Sequence, residues 1–263
     1  MKVDLDAVLR CASEAVRAAG AVLAPRLGRP GTIRTKPTGP VSEMDIRAEA
    51  AIVGVIRRAF PGHAILSEEM GAVGTALARW IADPLDGTSN FARGIPWYDV
   101  SLAFELEGRV EVGVVYAPAL DLLFSAVRGH GTRLNDRSIQ VSDLRTVAGS
   151  MVDVGFTREH WADPSEVAKA SRLAAAGAEV RSLNACGLDL GFVAAGWLEG
   201  YWDPRVAPWD HAAGALLVAE AGGRFVNSPK PDAADAAAAI LASNGHVHDA
   251  LSRILEFPHG GGE

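Results

Sequence analysis

The chain has 263 residues, of which 49% are hydrophobic and 22% are charged, a composition that supports a large buried core. Its formal net charge of −7 offers no general attraction for a polyanion, so we expect no nucleic-acid partner. Cys11 and Cys186 are the only cysteines, too few for a disulfide framework or a paired-cysteine zinc site. The N-terminal sequence lacks the pattern of a signal peptide or membrane span. We therefore expect a cytoplasmic protein with no membrane partner.

The first part of the chain mixes the helical and strand periods. Apolar spacing and turn signals predict, in chain order, helix 4–27, strand 33–36, helix 42–59, strands 64–67 and 79–83, and three antiparallel strands within 98–127. The second part alternates regularly, which predicts strand 150–156, helix 164–176, strand 179–183, helix 185–195, strand 197–203, helix 208–221, strands 223–226 and 238–241, and a last helix. We expect a mixed α/β (α+β) fold with two halves, 1–143 and 144–263.

Acidic residues stand at the ends of several predicted elements. The six are Asp45, Glu68, Glu69, Asp83, Asp86 and Asp210. Local structure could explain some of them, because Asp45 follows Ser42 at the spacing of a capping box and Asp210 falls in the first turn of a helix. Asp83 and Asp86, within WIADPLDGTSN, are harder to explain. Two carboxylates so close repel each other, so they require a cation, a proton or an exposed turn.

Three phosphate chemistries are compatible with a loop of this kind. A covalent aspartyl-phosphate mechanism uses Asp-x-Asp, whereas this chain has Asp-x-x-Asp. Cys11 and Arg17 match Cys-x5-Arg, but the segment between them has no glycine and lies in a predicted helix, so it cannot cradle a phosphate. The third chemistry is hydrolysis assisted by metal ions. Clustered carboxylates favour it, since hard divalent cations prefer oxygen ligands.

Four motifs support the third chemistry. VSEMD, SEE, DPLDGTSNF and PWDHAAGALLVAEAGG occur in this order, and together they resemble the inositol monophosphatase family of magnesium-dependent sugar phosphatases. The resemblance extends from Lys36, in the loop before VSEMD and near the metal site, to Gly222-Gly223. It implies a layered αβαβα fold and a homodimer. It also implies phosphomonoester hydrolysis with two or three Mg²⁺ ions; Mn²⁺ can substitute for Mg²⁺, and Li⁺ inhibits the reaction.

The resemblance also implies a set of metal ligands. Glu68, Asp83 and the backbone carbonyl of Leu85 match the ligands of one metal, and Asp83, Asp86 and Asp210 match those of a second. Asp83 then bridges the two ions. In this interpretation the cations remove the repulsion between the carboxylates and supply positive charge for a phosphate.

Other matching positions imply catalytic and substrate-binding roles. The residues matching Thr88 and Asp45 orient and deprotonate the attacking water, and the residue matching Glu69 supports them nearby. The backbone N–H groups of Gly87 and Thr88 are implied to hold phosphate oxygens.

Two departures from the family pattern fall on the expected alcohol side of the pocket. Asp203 replaces the usual glutamate seven residues before the metal aspartate, and Asn184-Ala185-Cys186 replaces the usual Gly-Ser/Thr-Ala. Asp203 could equally be a turn residue before Pro204, and Cys186 a small buried side chain. We expect a small phosphorylated polyol such as inositol monophosphate, with histidinol phosphate, fructose bisphosphate or a nucleotide as alternatives. A non-catalytic member that regulates the transcription machinery is a further alternative.

Overall fold

The computed structural model describes residues 3–36, 39–229 and 237–258. Within them, the helices are α1 (Leu5–Leu23), α2 (Glu43–Ala59), α3 (Thr88–Ala92), α4 (Arg158–Ala162), α5 (Pro164–Ala175), α6 (Cys186–Ala194), α7 (Pro208–Glu220) and α8 (His248–Leu255). A 3₁₀ turn, Ala24–Arg26, extends α1. No helix in these ranges is both long enough and apolar enough to cross a bilayer.

The strands form one hairpin and two larger sheets in the described part of the chain. They are β1 (Ile33–Lys36), β2 (Gly39–Ser42), β3 (Ala64–Ser67), β4 (Gly71–Val73), β5 (Ala78–Asp86), β6 (Asp99–Leu106), β7 (Arg109–Ala117), β8 (Leu122–Val127), β9 (Thr132–Leu134), β10 (Arg137–Ile139), β11 (Met151–Val154), β12 (Glu179–Arg181), β13 (Gly200–Val206), β14 (Arg224–Pro229) and β15 (Ala238–Ser243). β1 pairs with β2, the larger sheet has the order β10-β9-β8-β7-β6-β5-β3-β4, and the smaller sheet has the order β12-β11-β13-β15-β14.

Helices and sheets alternate in five layers. α1 and α2 cover one face of the larger sheet, α6 and α7 lie between the sheets, and α5 and α8 cover the far face of the smaller sheet. Each of the three helix layers buries apolar side chains against the sheet or sheets beside it, which gives three hydrophobic cores. The predicted αβαβα fold is confirmed.

The middle core joins the two parts of the chain. It includes Phe124 from the larger sheet, Leu190 and Leu217 from α6 and α7, and Ile240 from the smaller sheet, all of them fully buried. The predicted boundary between 143 and 144 lies in the segment connecting β10 to β11, and it stays a prediction.

The predicted long helices are found within a few residues of their expected ends. Several short elements lie outside the prediction: β2, β4, the β9–β10 hairpin and α4. β5 is also longer than predicted, because it continues beyond Asp83 to Asp86. This extension places both acids of the motif on the strand itself.

Candidate functional site

A cleft of about 740 Å³ opens between the larger sheet, α6 and the start of α7. It brings together most of the predicted site residues, namely Glu68, Asp83, Leu85, Asp86, Gly87, Thr88, Cys186, Asp203 and Asp210. Glu69 does not line the cleft but directly follows Glu68, which does. The backbone of Lys36 lies in β1, and its side chain falls outside the described part of the structure.

An irregularity in β5 explains how two acids three residues apart reach the same cleft. Asp83 pairs with Ser101 and Asp86 pairs with Asp99, with a shift of register between the two pairs. In a regular strand, residues three apart face opposite sides of the sheet. The shift acts as a bulge, which re-aims side chains, so both carboxylates line the cleft.

Burial and mutual repulsion dominate the electrostatics of these acids. Burial, followed by the charges of Glu68, Asp86 and Asp210, raises the pKa of Asp83 well above its usual range. The pKa of Asp210 is also raised well above its usual range, mainly by burial and then by the charges of Asp86 and Glu68. Burial also raises the pKa of Asp86 to about 6. A divalent cation at this place would offset all three effects, because it favours the charged carboxylates.

The donor set fits a hard cation such as Mg²⁺. The acids supply oxygen atoms, and Leu85 adds a backbone carbonyl at the same cleft. In the described ranges, no group of three or more His, Cys, Asp or Glu side chains is close enough together to hold a metal ion without further ligands. Mg²⁺ suits an open arrangement of this kind, since it keeps several waters and uses one or two carboxylates together with a substrate phosphate.

We expect the metal-free protein to lose stability as pH rises from about 5 to 8. Burial raises the pKa values of Asp86, Asp153 and Asp203 to about 6, 7 and 8, above the unfolded value of about 4. The folded state therefore holds more protons than the unfolded state, and its free energy of unfolding falls with pH across this window. Mg²⁺ bound at Asp86 would compete with protons, so a Mg²⁺-induced rise in Tm should grow with pH. Thermal unfolding at several pH values measures both trends; a metal-free Tm that increases from pH 5 to 8 would contradict them.

Thr88 and Asp45 form a direct hydrogen bond although 43 residues separate them. Thr88 Oγ1 lies 3.0 Å from Asp45 Oδ1 and also 3.0 Å from the carbonyl oxygen of Leu85. Asp45 Oδ2 accepts hydrogen bonds from Ser42 N, at 2.7 Å, and from Ser42 Oγ, at 2.6 Å. Asp45 thus completes the capping box of α2 and binds Thr88 with its other oxygen. The two interpretations made from the sequence are both compatible with the structure.

Gly87 lets the chain turn from β5 into α3. Its φ angle is +82°, in the left-handed region, and a Cβ atom there would lie 2.9 Å from the carbonyl oxygen of Trp97. This turn places the backbone of Gly87 and Thr88 along the cleft. Their role in holding phosphate oxygens stays a prediction.

The opposite side of the cleft carries the residues that depart from the family pattern. Asp203 is buried in β13, where Oδ1 accepts the N–H of Arg205 at 2.8 Å and Oδ2 accepts the hydroxyl of Tyr201 at 3.1 Å. Gly155 packs against this carboxyl group, and a Cβ there would lie 1.9 Å from Oδ2. Burial and the nearby Asp86 raise the pKa of the Cys186 thiol well above its usual range, which argues against a nucleophilic thiolate.

Three further acids are fully buried in the described part of the chain and were not singled out from the sequence: Asp99, Asp153 and Asp189. Asp99 accepts the N–H of Leu188 at 2.8 Å, and Asp189 accepts the indole N–H of Trp97 at 2.9 Å. The available signal was an acid inside a predicted apolar strand or helix, where burial without a partner is costly.

Comparison with known proteins agrees with the fold and the cleft. The sequence profile described as "Inositol monophosphatase family" matches residues 4–257. A Nus factor SuhB of Pasteurella multocida is 40% identical over 83% of this chain and 84% of its own length. An inositol-1-monophosphatase of Mesorhizobium japonicum is 36% identical over 96% of this chain and 97% of its own. The structure of an inositol monophosphatase from Anabaena (Nostoc) superposes with a TM-score of 0.84 at 37% identity and covers 97% of both chains. With a profile match over nearly the whole chain and the same fold, this protein belongs to the inositol monophosphatase family.

Proposed function

We propose that the protein is a Mg²⁺-dependent phosphomonoesterase that hydrolyses inositol monophosphate or a similar small polyol phosphate. The observation that carries this proposal is the convergence of Asp83, Asp86 and Asp210 on one cleft, with the Thr88–Asp45 pair beside them. When bound, the cations would supply positive charge to the phosphate and acidify the attacking water. Glu68, Asp83, Asp86, Asp210 and the carbonyl of Leu85 would hold them.

The protein's own groups provide orientation and proton transfer. The Thr88 hydroxyl can accept a hydrogen bond from the attacking water while it donates its single proton to Asp45. Burial raises the pKa of Asp45, which makes its carboxylate a stronger base than an exposed aspartate. The N–H groups of Gly87 and Thr88 would hold phosphate oxygens in line with the water. Glu69, next to the proposed ligand Glu68, would support this arrangement from outside the cleft.

The alcohol side of the cleft bears on the choice of substrate. Asp203 and Cys186 line it, and Asp203 would bind a hydroxyl or amine of the leaving alcohol. The name of the Mesorhizobium relative supports inositol monophosphate, while histidinol phosphate and fructose bisphosphate or a nucleotide stay as alternatives. The proposal also includes a homodimer located in the cytoplasm. It further includes activity with Mn²⁺ in place of Mg²⁺ and inhibition by Li⁺.

Phosphate release from a panel of phosphomonoesters, measured with and without Mg²⁺, tests the proposed activity. We expect turnover that requires Mg²⁺, is lost in EDTA, and is highest on one polyol phosphate. Undiminished turnover after exhaustive chelation would refute the metal-assisted mechanism.

A regulatory role is a second candidate, favoured by the names of several relatives. The Pasteurella protein and a protein of Haemophilus influenzae that is 37% identical over 96% of this chain are both named Nus factor SuhB. A regulator of this kind would bind the transcription machinery through the same fold, and the expectation of no nucleic-acid partner would then need direct testing. Absence of turnover across the whole panel would favour this role over the enzyme.

Replacing Asp203 with Ala is expected to lower kcat/KM for the natural substrate by roughly 5-fold to 150-fold, the cost of leaving a substrate hydroxyl unpaired in a buried site. A featureless aryl phosphate offers no hydroxyl to Asp203, so its hydrolysis should be spared, and the Mg²⁺ requirement should not change. Steady-state kinetics on both substrates measures the difference. Asp203→Asn, which keeps the shape, serves as the matched control for packing against Gly155 and Tyr201. Equal losses on both substrates would instead indicate a structural role.

A further inference from the structure

Asp99 stands directly opposite Asp86 in the larger sheet. The two residues are cross-strand partners of β5 and β6, and Asp99 is fully buried. Asp99 is absent from the lining of the cleft, whereas Asp86 lines it. The Asp99 carboxyl group therefore lies behind the proposed metal ligand, on the protein side.

The same turn of α6 binds both carboxyl groups. The N–H of Gly187 donates to Asp86 Oδ2 at 2.8 Å, and the N–H of the next residue, Leu188, donates to Asp99 Oδ2 at 2.8 Å. A Cβ atom at Gly187 would lie 2.5 Å from Asp99 Oδ1, so the carboxyl group packs directly on the backbone of α6. Asp99 Oδ1 is buried there without a donor group beside it, and the Asp99 carboxyl group contacts that of Asp86.

We propose that Asp99 is a positioning residue that fixes the orientation of the Asp86 carboxylate for metal binding. By holding the N–H of Leu188, Asp99 fixes the first turn of α6 against β6, and this turn presents the N–H of Gly187 to Asp86. The N–H groups of Gly187 and Cys186, both at this turn, then orient the Asp86 carboxylate together with the N–H of Gly87. Partners that orient a metal ligand in this way typically contribute 10-fold to 100-fold in metal affinity. The inference rests on the proposed metal-dependent function.

A purely structural role predicts the opposite pattern of effects. The unpartnered oxygen of Asp99, next to a second acid, costs stability, and an uncharged residue at this place would relieve that cost. Removing Asp99 should therefore weaken Mg²⁺ binding beyond any change in the metal-free Tm, which combines relief of the repulsion with the loss of the acceptor for the N–H of Leu188. A side chain that served packing alone would lower the metal-free Tm and leave Mg²⁺ binding unchanged.

The experiment measures the Tm of thermal unfolding over a range of Mg²⁺ concentrations, without any activity measurement. We expect Asp99→Ala to raise the Mg²⁺ concentration at the midpoint of stabilisation by roughly 10-fold to 100-fold. Asp99→Asn should stay close to wild type, because the amide oxygen can still accept the N–H of Leu188. Asp189→Ala is the matched control: Asp189 is also buried and accepts the N–H of Ala185 at the start of α6, but it is not paired with Asp86. Its midpoint should not change.

Each outcome separates this inference from the proposed function. If Mg²⁺ stabilises the wild type but the Asp99→Ala midpoint is unchanged, the positioning role is wrong and the proposed function stands. An equal shift in Asp189→Ala would also overturn it, because the loss of any anchor of α6 would then have the same effect. If the alanine variant does not fold, Asp99→Val takes its place in the same comparison. Valine fills the space on the strand, but its side chain cannot accept the N–H of Leu188. No stabilisation of the wild type by Mg²⁺ would overturn the proposed function itself.

Discussion

Replacing Asp86 with Asn is expected to reduce kcat/KM by more than about 100-fold, beyond the usual effect of changing a residue that only orients a metal ligand. Asp86 is half-buried in the cleft among other acids, and the proposed function assigns it to a cation next to Asp83 and Asp210. Asparagine keeps the shape and can still accept the N–H of Gly187, but it removes one negative charge from the site. Turnover and the Mg²⁺-induced rise in Tm should therefore fall together, measured by kinetics and thermal unfolding over a range of Mg²⁺ concentrations.

The metal-free stability of Asp86→Asn distinguishes a lost ligand from a damaged fold. Removing one of several repelling buried acids should leave the metal-free Tm unchanged or higher. Asp153→Asn is a suitable control, because Asp153 is also a buried acid but does not line the cleft. We expect this control to retain turnover and its Mg²⁺ dependence. An Asp86→Asn enzyme with near-normal rates would show that the metals bind elsewhere.

Local sequence patterns predicted the parts of the fold that depend on neighbouring residues. The helix over 4–27 follows from its apolar stripe, and Asp4 caps α1 through hydrogen bonds to the backbone N–H groups of Asp6 and Ala7. The end of β5 could not be obtained in this way. Its last residues are a strand because Asp86 pairs with Asp99, and pairing between distant residues leaves no trace in the local alternation of a strand.

The candidate site could also be predicted only in part from the sequence. The motif order and the resemblance to a family identified the acids that line the cleft, including Asp83, Asp86 and Asp210. Neither the spacing nor the composition could indicate that Asp99 faces Asp86, because Asp99 reads as one polar residue in a predicted strand. The hydrogen bonds from α6 were equally hidden, since they come from backbone N–H groups of Gly187 and Leu188 about 100 residues further along the chain.

The contact between Thr88 and Asp45 leads to the second large effect. We expect Thr88→Ala to lower kcat by roughly 10²-fold to 10⁴-fold, the range for losing a positioned acid–base group. The Tm and the Mg²⁺ concentration at the midpoint of stabilisation should change little. In the proposed function the Thr88 hydroxyl, 3.0 Å from Asp45 Oδ1, would link the attacking water to its base, so its loss should act mainly on the transition state. Thr88→Ser keeps the hydroxyl and should restore most of kcat, which excludes a packing effect of the side chain. Rapid-quench measurements on the wild type complete the test. A phosphorylated Asp83 or Asp86 would show a covalent intermediate and would contradict direct attack by water.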